Sequence, residues 1–303
     1  MKKGYRIGIA KLQTKRFFLL SFSYFCILFT KVNCMSKERL RILFVAHEMK
    51  PYLELTQVAE FARSLPPAMQ DRGFEIRVLM PRFGVINERR HRLHEVVRLS
   101  GINIIIEDND NPLIVKVASL TPAKMQVYFL DNDEYFSRKD DLRDKDGDFC
   151  ADNDERMVFF CKGLIETVIK LGWNPDIVQL NGWLTSLIPY YLKTQYAENP
   201  VFQDSKIVTS LYESQFSDKM NAGMINKLGT ETDTATDLSD FDGSCNSLYK
   251  IAVKYSDAIT VHSSDVDSEL LSFAQSTSKP IFTSTEPTEN FDEFKSFYQS
   301  LFE

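Results

Sequence analysis

The first residues placed to do chemistry form the segment 47–57, which runs from His47 to Gln57 directly after the apolar run 42–46. An uninterrupted apolar run of this length is typical of a strand that is buried on both faces of a parallel sheet. Ligands of such sheets bind just beyond the carboxyl ends of the strands. We therefore expect binding chemistry in this segment.

A metal site is a second kind of chemistry to consider, because residues 144–148 read Asp-Lys-Asp-Gly-Asp. An EF-hand loop does not fit these residues. With Gly147 as the sixth residue of the loop, Leu142 stands where the first ligand belongs and Asn153 where the bidentate glutamate belongs. The 5 cysteines include no Cys-x-x-Cys pair, and the 4 histidines are scattered. We predict no metal site, no cofactor and a reduced interior.

A strand, a helix and a second strand must position the segment 47–57. Apolar residues at helical spacing follow it, and Pro66 and Pro67 are expected to end that helix. The apolar stripe consists of Val58, Phe61, Ala62 and Leu65. A second, largely apolar run, 76–80, comes next. This order predicts two parallel strands with the helix packed across them.

Three further runs, 102–106, 113–117 and 127–130, are separated by turn-forming residues and predict an antiparallel addition to the sheet. The clearest helix starts near Asp152, where Asp152 or Asn153 can cap its N-terminus, and it can end at Gly172. The fold class expected from these elements is α/β, with a Rossmann-like parallel sheet and flanking helices.

Composition limits the classes of partner. A net charge of −6 and a pI near 5.4 give no basic footprint, so we expect no nucleic-acid partner.

Residues 1–34 resemble a signal peptide or are a mis-called extension, with Met35 as the true start. A cytoplasmic protein is expected in the second case. Export or membrane anchoring requires that the apolar run 17–29 be a real signal or anchor. Residues 35–273 then form the folded domain, and residues 274–303 are expected to be a polar, mobile tail.

The segment 47–57 resembles the start of bacterial glycogen and starch synthases. Glu48, Pro51 and Tyr52 match the Glu and the Pro-aromatic pair of that family. The family continues with Lys-Thr-Gly-Gly, where this chain has Glu54, Leu55, Thr56 and Gln57. Glycines at a helix start let a diphosphate approach backbone N–H groups, and a lysine neutralises its charge. The phosphate loop is thus degenerate, and Glu54 is expected to repel a phosphate.

Two further stretches carry the resemblance. Asp152, Asn153 and Arg156 match the Asp-Asn-x-x-Arg that the synthases place beside the glucosyl pocket, although helix capping alone also explains the first two. The synthases end a later strand in His-x-His-Asp-Trp, where this chain has Gln179, Leu180, Asn181, Gly182 and Trp183. Gln179 and Asn181 can hydrogen-bond a sugar hydroxyl but supply no ionisable group. Trp183 either packs the following helix onto the sheet or stacks on a sugar.

The resemblance covers roughly residues 41–264 and implies the N-terminal half of a fold with two Rossmann-like domains. We expect a glycogen or starch synthase-like domain without independent glucosyl transfer, which binds an α-glucan or a glucan-metabolising enzyme. The alternative is a split or unconventional synthase that transfers glucose from ADP-glucose when a second chain completes it.

Two features stay open. The segment 87–99 is rich in arginine and histidine, which fits an anion or glucan contact. It equally fits a solvated helix face in which Glu88 and Glu95 are interspersed. His262, at the end of a predicted strand, is either a hydrogen-bonding group or a ligand.

Overall fold

The apolar run after Leu40 forms the central strand of the sheet, β1 (Arg41–Ala46). Strand β1 pairs in parallel with β2 (Glu75–Pro81) on one side and with β7 (Ile177–Asn181) on the other. Phe44 lies opposite Val78 of β2 and Gln179 of β7. Because both faces of β1 are covered, its residues 42–46 are all buried.

The computed structural model describes residues 39–221, 223–228, 238 and 241–303. The predictions for residues 1–34, the run 17–29 and Met35 lie outside this range. None of the helices in the described residues is long and apolar enough to cross a membrane. The remaining strands are β3 (His94–Glu95), β4 (Ile102–Ile106), β5 (Asn109–Leu120), β6 (Met125–Asp131), β8 (Lys206–Leu211), β9 (Ala258–Val261) and β10 (Ile281–Thr283). The helices are α1 (Val58–Asp71), α2 (Glu88–His91), α3 (Asn153–Leu171), α4 (Ile188–Lys193), α5 (Met224–Lys227), α6 (Cys245–Tyr255), α7 (Ser268–Ser276) and α8 (Phe291–Ser300), and a 3-10 turn spans Trp183–Thr185.

The strand order is β10-β9-β8-β7-β1-β2-β6-β5-β3, with β4 paired to β5. Strands β10 to β6 in this order pair in parallel, which confirms the expected α/β class with a Rossmann-like sheet. The antiparallel addition consists of β3, β4 and β5. Strand β6 is antiparallel only to β5 and parallel to β2, so the run 127–130 belongs to the parallel sheet rather than to the addition.

Helix α1 does not end at the prolines. It continues through Pro66 and Pro67 to Asp71, and Gly73 follows with a positive φ of 95°. The reason is that its buried stripe also continues: Ala68 and Met69 pack into the core beyond the prolines. Burial of this stripe offsets the helical hydrogen bonds that two prolines remove.

The C-terminal residues 274–303 are not the mobile tail that their polar composition suggested. Strand β10 pairs in parallel with β9, with Ile281 opposite Ile259. Helix α8 buries Phe294 and Tyr298, which are one helical turn apart. A few buried aromatic side chains fix this segment on the core, and mean composition does not reveal them.

Candidate functional site

A cavity of about 320 Å³ opens beside residues that follow the carboxyl ends of β1, β7 and β8. This is the edge at which ligands of parallel sheets bind. The cavity is lined by His47, Leu55, Thr56, Asp141, Leu142, Arg143, Asp144, Phe149, Trp183, Gln215 and Phe216. The segment 47–57 therefore borders this cavity, together with the loop before α3 and the loop after β8.

Glu48 holds the segment in place from within. Its side chain is fully buried, and its carboxylate accepts hydrogen bonds from the backbone N–H groups of Leu55 and Thr56 and from the Thr56 hydroxyl. Burial alone would raise the pKa of Glu48. A hydrogen bond from His47, the charge of His47, and hydrogen bonds from Thr56 and Leu55 outweigh the effect of burial. The pKa of Glu48 is therefore lowered, and the carboxylate is ionised. An anion already inside the protein thus occupies the N–H groups at the start of α1.

The degenerate phosphate loop divides into two parts. Leu55 and Thr56 line the cavity. Glu54 is 62% exposed and forms an ion pair with Lys50 at 2.8 Å, so its charge is directed at that lysine and not, as expected, at a phosphate in the cavity. Gln57 precedes α1 without a side-chain capping bond.

His47 places an imidazole against the cavity, a role that the sequence did not suggest. Its side chain is 1% exposed, and its Nε2 lies 3.4 Å from Glu48 Oε1. Its Nδ1 is buried without a hydrogen-bond partner in the described residues. The ring lies directly against Gly182: a Cβ added there would be 2.1 Å from His47 Nδ1. The available signal was the position of His47 at the first residue beyond β1.

Trp183 belongs to an aromatic wall of the cavity. Its ring lies 4.9 Å from that of Phe216 and 5.9 Å from that of Phe149, and Phe149 stacks on Phe216 at 4.9 Å. Trp183 is only 1% exposed. It therefore packs the chain after β7 against the loops and offers an edge, rather than an open face, to the cavity.

Gln179 and Asn181 are turned away from the cavity. Gln179 donates to Ser210 Oγ at 2.7 Å and accepts from the Tyr298 hydroxyl at 2.9 Å. Asn181 donates to the Val45 carbonyl oxygen at 3.2 Å and accepts from the Tyr212 hydroxyl at 3.0 Å. Both amides are satisfied inside the protein, so the structure assigns them to the core.

Asp152, Asn153 and Arg156 do not line the cavity, but they hold the loop that does. Arg156 is buried, donates to the Asp141 carbonyl oxygen, and contacts Asn153 Oδ1 at 3.1 Å. Asn153 donates to the Leu142 carbonyl oxygen at 2.8 Å. Asp152 accepts from Arg138 at 3.0 Å and makes no side-chain capping bond at the start of α3. Burial, followed by the nearby charge of Arg138, lowers the pKa of Arg156.

Gln215, in the loop after β8, connects three parts of the site. Its Nε2 donates to Thr56 Oγ1 at 3.2 Å. Its Oε1 accepts from the backbone N–H of Trp183 at 3.0 Å and from the Tyr249 hydroxyl at 2.9 Å. Sequence reasoning missed Gln215, because an isolated glutamine in a loop carries no pattern.

His262, which the sequence left open, and the thiol of Cys161 both lie in the interior of the protein. His262 is fully buried, and its Nδ1 lies 2.9 Å from the Ser284 carbonyl oxygen, as the hydrogen-bonding interpretation expects. Cys161 is a buried thiol that donates to the Leu184 carbonyl oxygen at 3.3 Å. Among the described residues, no group of three or more His, Cys, Asp or Glu side chains is arranged to hold a metal ion.

Comparison with known proteins agrees with this geometry. The starch synthase catalytic domain family matches residues 41–279. The chain is 41% identical over 181 residues to a glycogen synthase of Chlorobium chlorochromatii, covering 59% of this chain and 37% of that protein. It is 33% identical over 244 residues to a glycogen synthase of Chlorobaculum parvum, covering 80% of this chain and 49% of that protein.

A solved structure supports the same fold. The catalytic domain of Starch Synthase IV from Arabidopsis thaliana, bound to ADP and acarbose, superimposes with a TM-score of 0.67 at 15% identity. The match covers 81% of this chain and 51% of that chain. The chain thus spans about half or less of the length of these relatives. On the family match and these relatives, the chain belongs to the starch synthase catalytic domain family and is a glycogen/starch synthase-like glycosyltransferase domain.

Proposed function

We propose that this domain binds an α-glucan in the cavity beside β1, β7 and β8 and does not by itself transfer glucose from a nucleotide sugar. The observation that carries the proposal is the loss of the lysine and both glycines of the phosphate loop, where Leu55 and Thr56 now line the cavity. A sugar diphosphate needs glycines at the start of a helix so that it can approach the backbone N–H groups. The side chain of Thr56 obstructs that approach here, and no lysine at position 54 neutralises the charge of the phosphates.

The charges that line the cavity also disfavour a diphosphate. Among the described residues, Arg143 is the only arginine or lysine that lines the cavity. Its guanidinium lies 2.6 Å from Asp218 and donates to the Gly147 carbonyl oxygen at 3.0 Å. Asp141 and Asp144 add negative charge to the same lining. Transfer of glucose requires groups that stabilise the leaving diphosphate, and the described lining offers no unpaired arginine or lysine for this purpose.

A neutral sugar fits the same lining better. Phe149, Phe216 and the edge of Trp183 give apolar surface, and carboxylates and an amide lie beside them. Pockets for small neutral ligands combine apolar walls with a few polar groups in this manner. The Arabidopsis starch synthase domain of similar fold was solved with acarbose as well as ADP.

Two assays on the purified protein test the proposal. Incubation with ADP-glucose or UDP-glucose and glycogen is expected to give no glucose incorporation, and measurable transfer would overturn the proposal. Co-sedimentation with glycogen is expected to pellet the protein. The Phe149→Ala variant should pellet less, whereas Val97→Ala, which changes a side chain that is 78% exposed and does not line the cavity, should pellet normally. Failure of the unmodified protein to pellet would instead favour a protein partner.

A split glycosyltransferase is the second candidate, and His47 is the observation that favours it. Its imidazole lines the cavity with Glu48 beside it, so an ionisable pair is present although the His-x-His-Asp motif is absent. In this case, transfer appears only when a chain that carries the second synthase domain is added, and His47→Ala abolishes it. Absence of transfer in the mixture rejects this candidate.

A further inference from the structure

A second cavity lies beside Pro51 and the arginine- and histidine-rich segment 87–99. Its volume is about 710 Å³, within the range of sites for small ligands. It is lined by Pro51, Arg90, His91, Arg92, His94, Ser119, Leu120 and Thr121. In the part of the chain that the structure describes, this lining contains basic side chains and no acidic one, although the net charge of the protein is −6.

The acidic residues of the segment do not neutralise this surface. The Glu88 carboxylate forms one ion pair with Arg82 and a second, at 2.8 Å, with Nζ of Lys116 in β5. Glu95 follows His94 in β3, and successive side chains of a strand point to opposite faces. The segment is solvated, as the second interpretation expects, because Arg90, Arg92 and His94 are exposed, but neither glutamate lines the cavity that these three side chains border.

The arginines of the lining are unpaired within the described residues. No ion pair there involves Arg90 or Arg92, although many other arginines of the chain are paired. Asn87 caps α2 by accepting from the N–H of Arg90, which fixes the backbone that carries this side chain.

The backbone of Arg92 determines where the two arginines lie. Arg92 is the C-cap of α2 and has φ 57° and ψ 44°, the left-handed conformation. Helices commonly end in a residue of this conformation. Here it ends α2 and turns the chain so that Arg90 and Arg92 border one cavity.

From the charge, the volume and this backbone, we infer that the cavity bordered by Arg90, Arg92 and His94 is a binding site for a phosphorylated small molecule. The guanidinium groups bind the phosphate, because each arginine presents paired N–H donors that match the oxygen atoms of a phosphate group. Ser119 and Thr121 lie across the cavity and offer hydroxyl groups to the remainder of the ligand. This site is separate from the glucan cavity and does not depend on the function proposed for that cavity.

Isothermal titration calorimetry on the full protein tests the inference with inorganic phosphate, glucose 6-phosphate and glucose as probes. Both phosphates should bind, more weakly at high salt, and glucose should not. The variant Arg90→Ala/Arg92→Asn should lose about tenfold or more in affinity for each phosphate. Asparagine is chosen at position 92 because it tolerates the left-handed backbone. Arg90→Ala alone provides a variant that leaves this turn unchanged.

The matched control is Arg89→Ala, which removes a neighbouring arginine of α2 that does not line the cavity. The affinity of this control for the phosphates should stay within about twofold, since an exposed charge that makes no contact in the cavity contributes little. The inference is overturned if neither phosphate binds, if glucose binds as well as glucose 6-phosphate, or if the control loses as much affinity as the variants. It is also overturned if the phosphates bind and the Arg90 and Arg92 variants keep full affinity, because the phosphate site then lies elsewhere.

Discussion

Gly182 should be irreplaceable while His47 is present. Its backbone has φ 87° and ψ 157°, a region that is essentially restricted to glycine. A Cβ at this position would lie 2.1 Å from both Cε1 and Nδ1 of His47. The Gly182→Ala substitution therefore causes backbone strain of about 1–3 kcal/mol and overpacking of about 1–3 kcal/mol. The sum is a large part of the roughly 5–15 kcal/mol that stabilises a typical domain.

The two contributions can be separated with a double-mutant cycle. His47→Ala removes the ring that the new methyl group would meet but leaves the strained backbone unchanged. Gly182→Ala should therefore cost about 1–3 kcal/mol less in the His47→Ala background than in the unmodified protein. Urea unfolding of the four proteins, followed by far-ultraviolet circular dichroism, measures this coupling. A coupling energy below about 0.5 kcal/mol would refute the contact between His47 and Gly182.

The remaining predictions concern buried ionisable groups. Burial, partly offset by the bond to Ser284, lowers the pKa of His262 to about 4. The unfolded chain, with a histidine pKa of about 6.5, then binds the proton more strongly, so stability is complete above that pH and falls towards pH 4. From pH 8 to pH 5 the free energy of unfolding should fall by about 2 kcal/mol, and urea unfolding of His262→Gln should not show this loss. If the free energy of unfolding changed equally with pH in both proteins, the lowered pKa would not belong to His262. Arg156→Leu should accelerate amide hydrogen exchange in residues 141–149, and unchanged exchange would show that Arg156 does not anchor that loop.

The sequence predicted the central sheet because its signals are local. Strands β1 and β2 contain short, largely apolar runs, and the run 42–46 predicts a strand without knowledge of its neighbours. The C-terminal segment was misjudged because its attachment is not local. Phe294 and Tyr298 are spaced for a helix, but only the folded protein brings Phe294 against Phe282 and His262, and Tyr298 against Phe74.

The candidate site was only partly predictable for the same reason. The edge of the sheet follows from strand order, so the segment 47–57 was placed beside a cavity from its position alone. Phe149 and Gln215 come from loops that are distant in sequence and carry no periodic pattern. Gln179 and Asn181 were expected from family position to contact a sugar, but their amide groups form hydrogen bonds inside the protein instead. Amides can satisfy one another in a core, where charged side chains would be costly.

The hydrogen bonds of Gln179 and Asn181 explain how the fold accommodates amides at the positions of the His-x-His-Asp motif. Gln179 and Asn181 each contact Ser210, Gln179 also accepts from Tyr298, and Asn181 accepts from Tyr212. The carboxyl end of β7 is thereby tied to β8 and to α8, and its hydrogen-bonding groups are used inside the protein. Restoring histidine at these positions would break that network before it created a sugar contact. Such a change would leave the cavity lining itself unaltered, because His47 and Trp183 line the cavity whereas Gln179 and Asn181 do not.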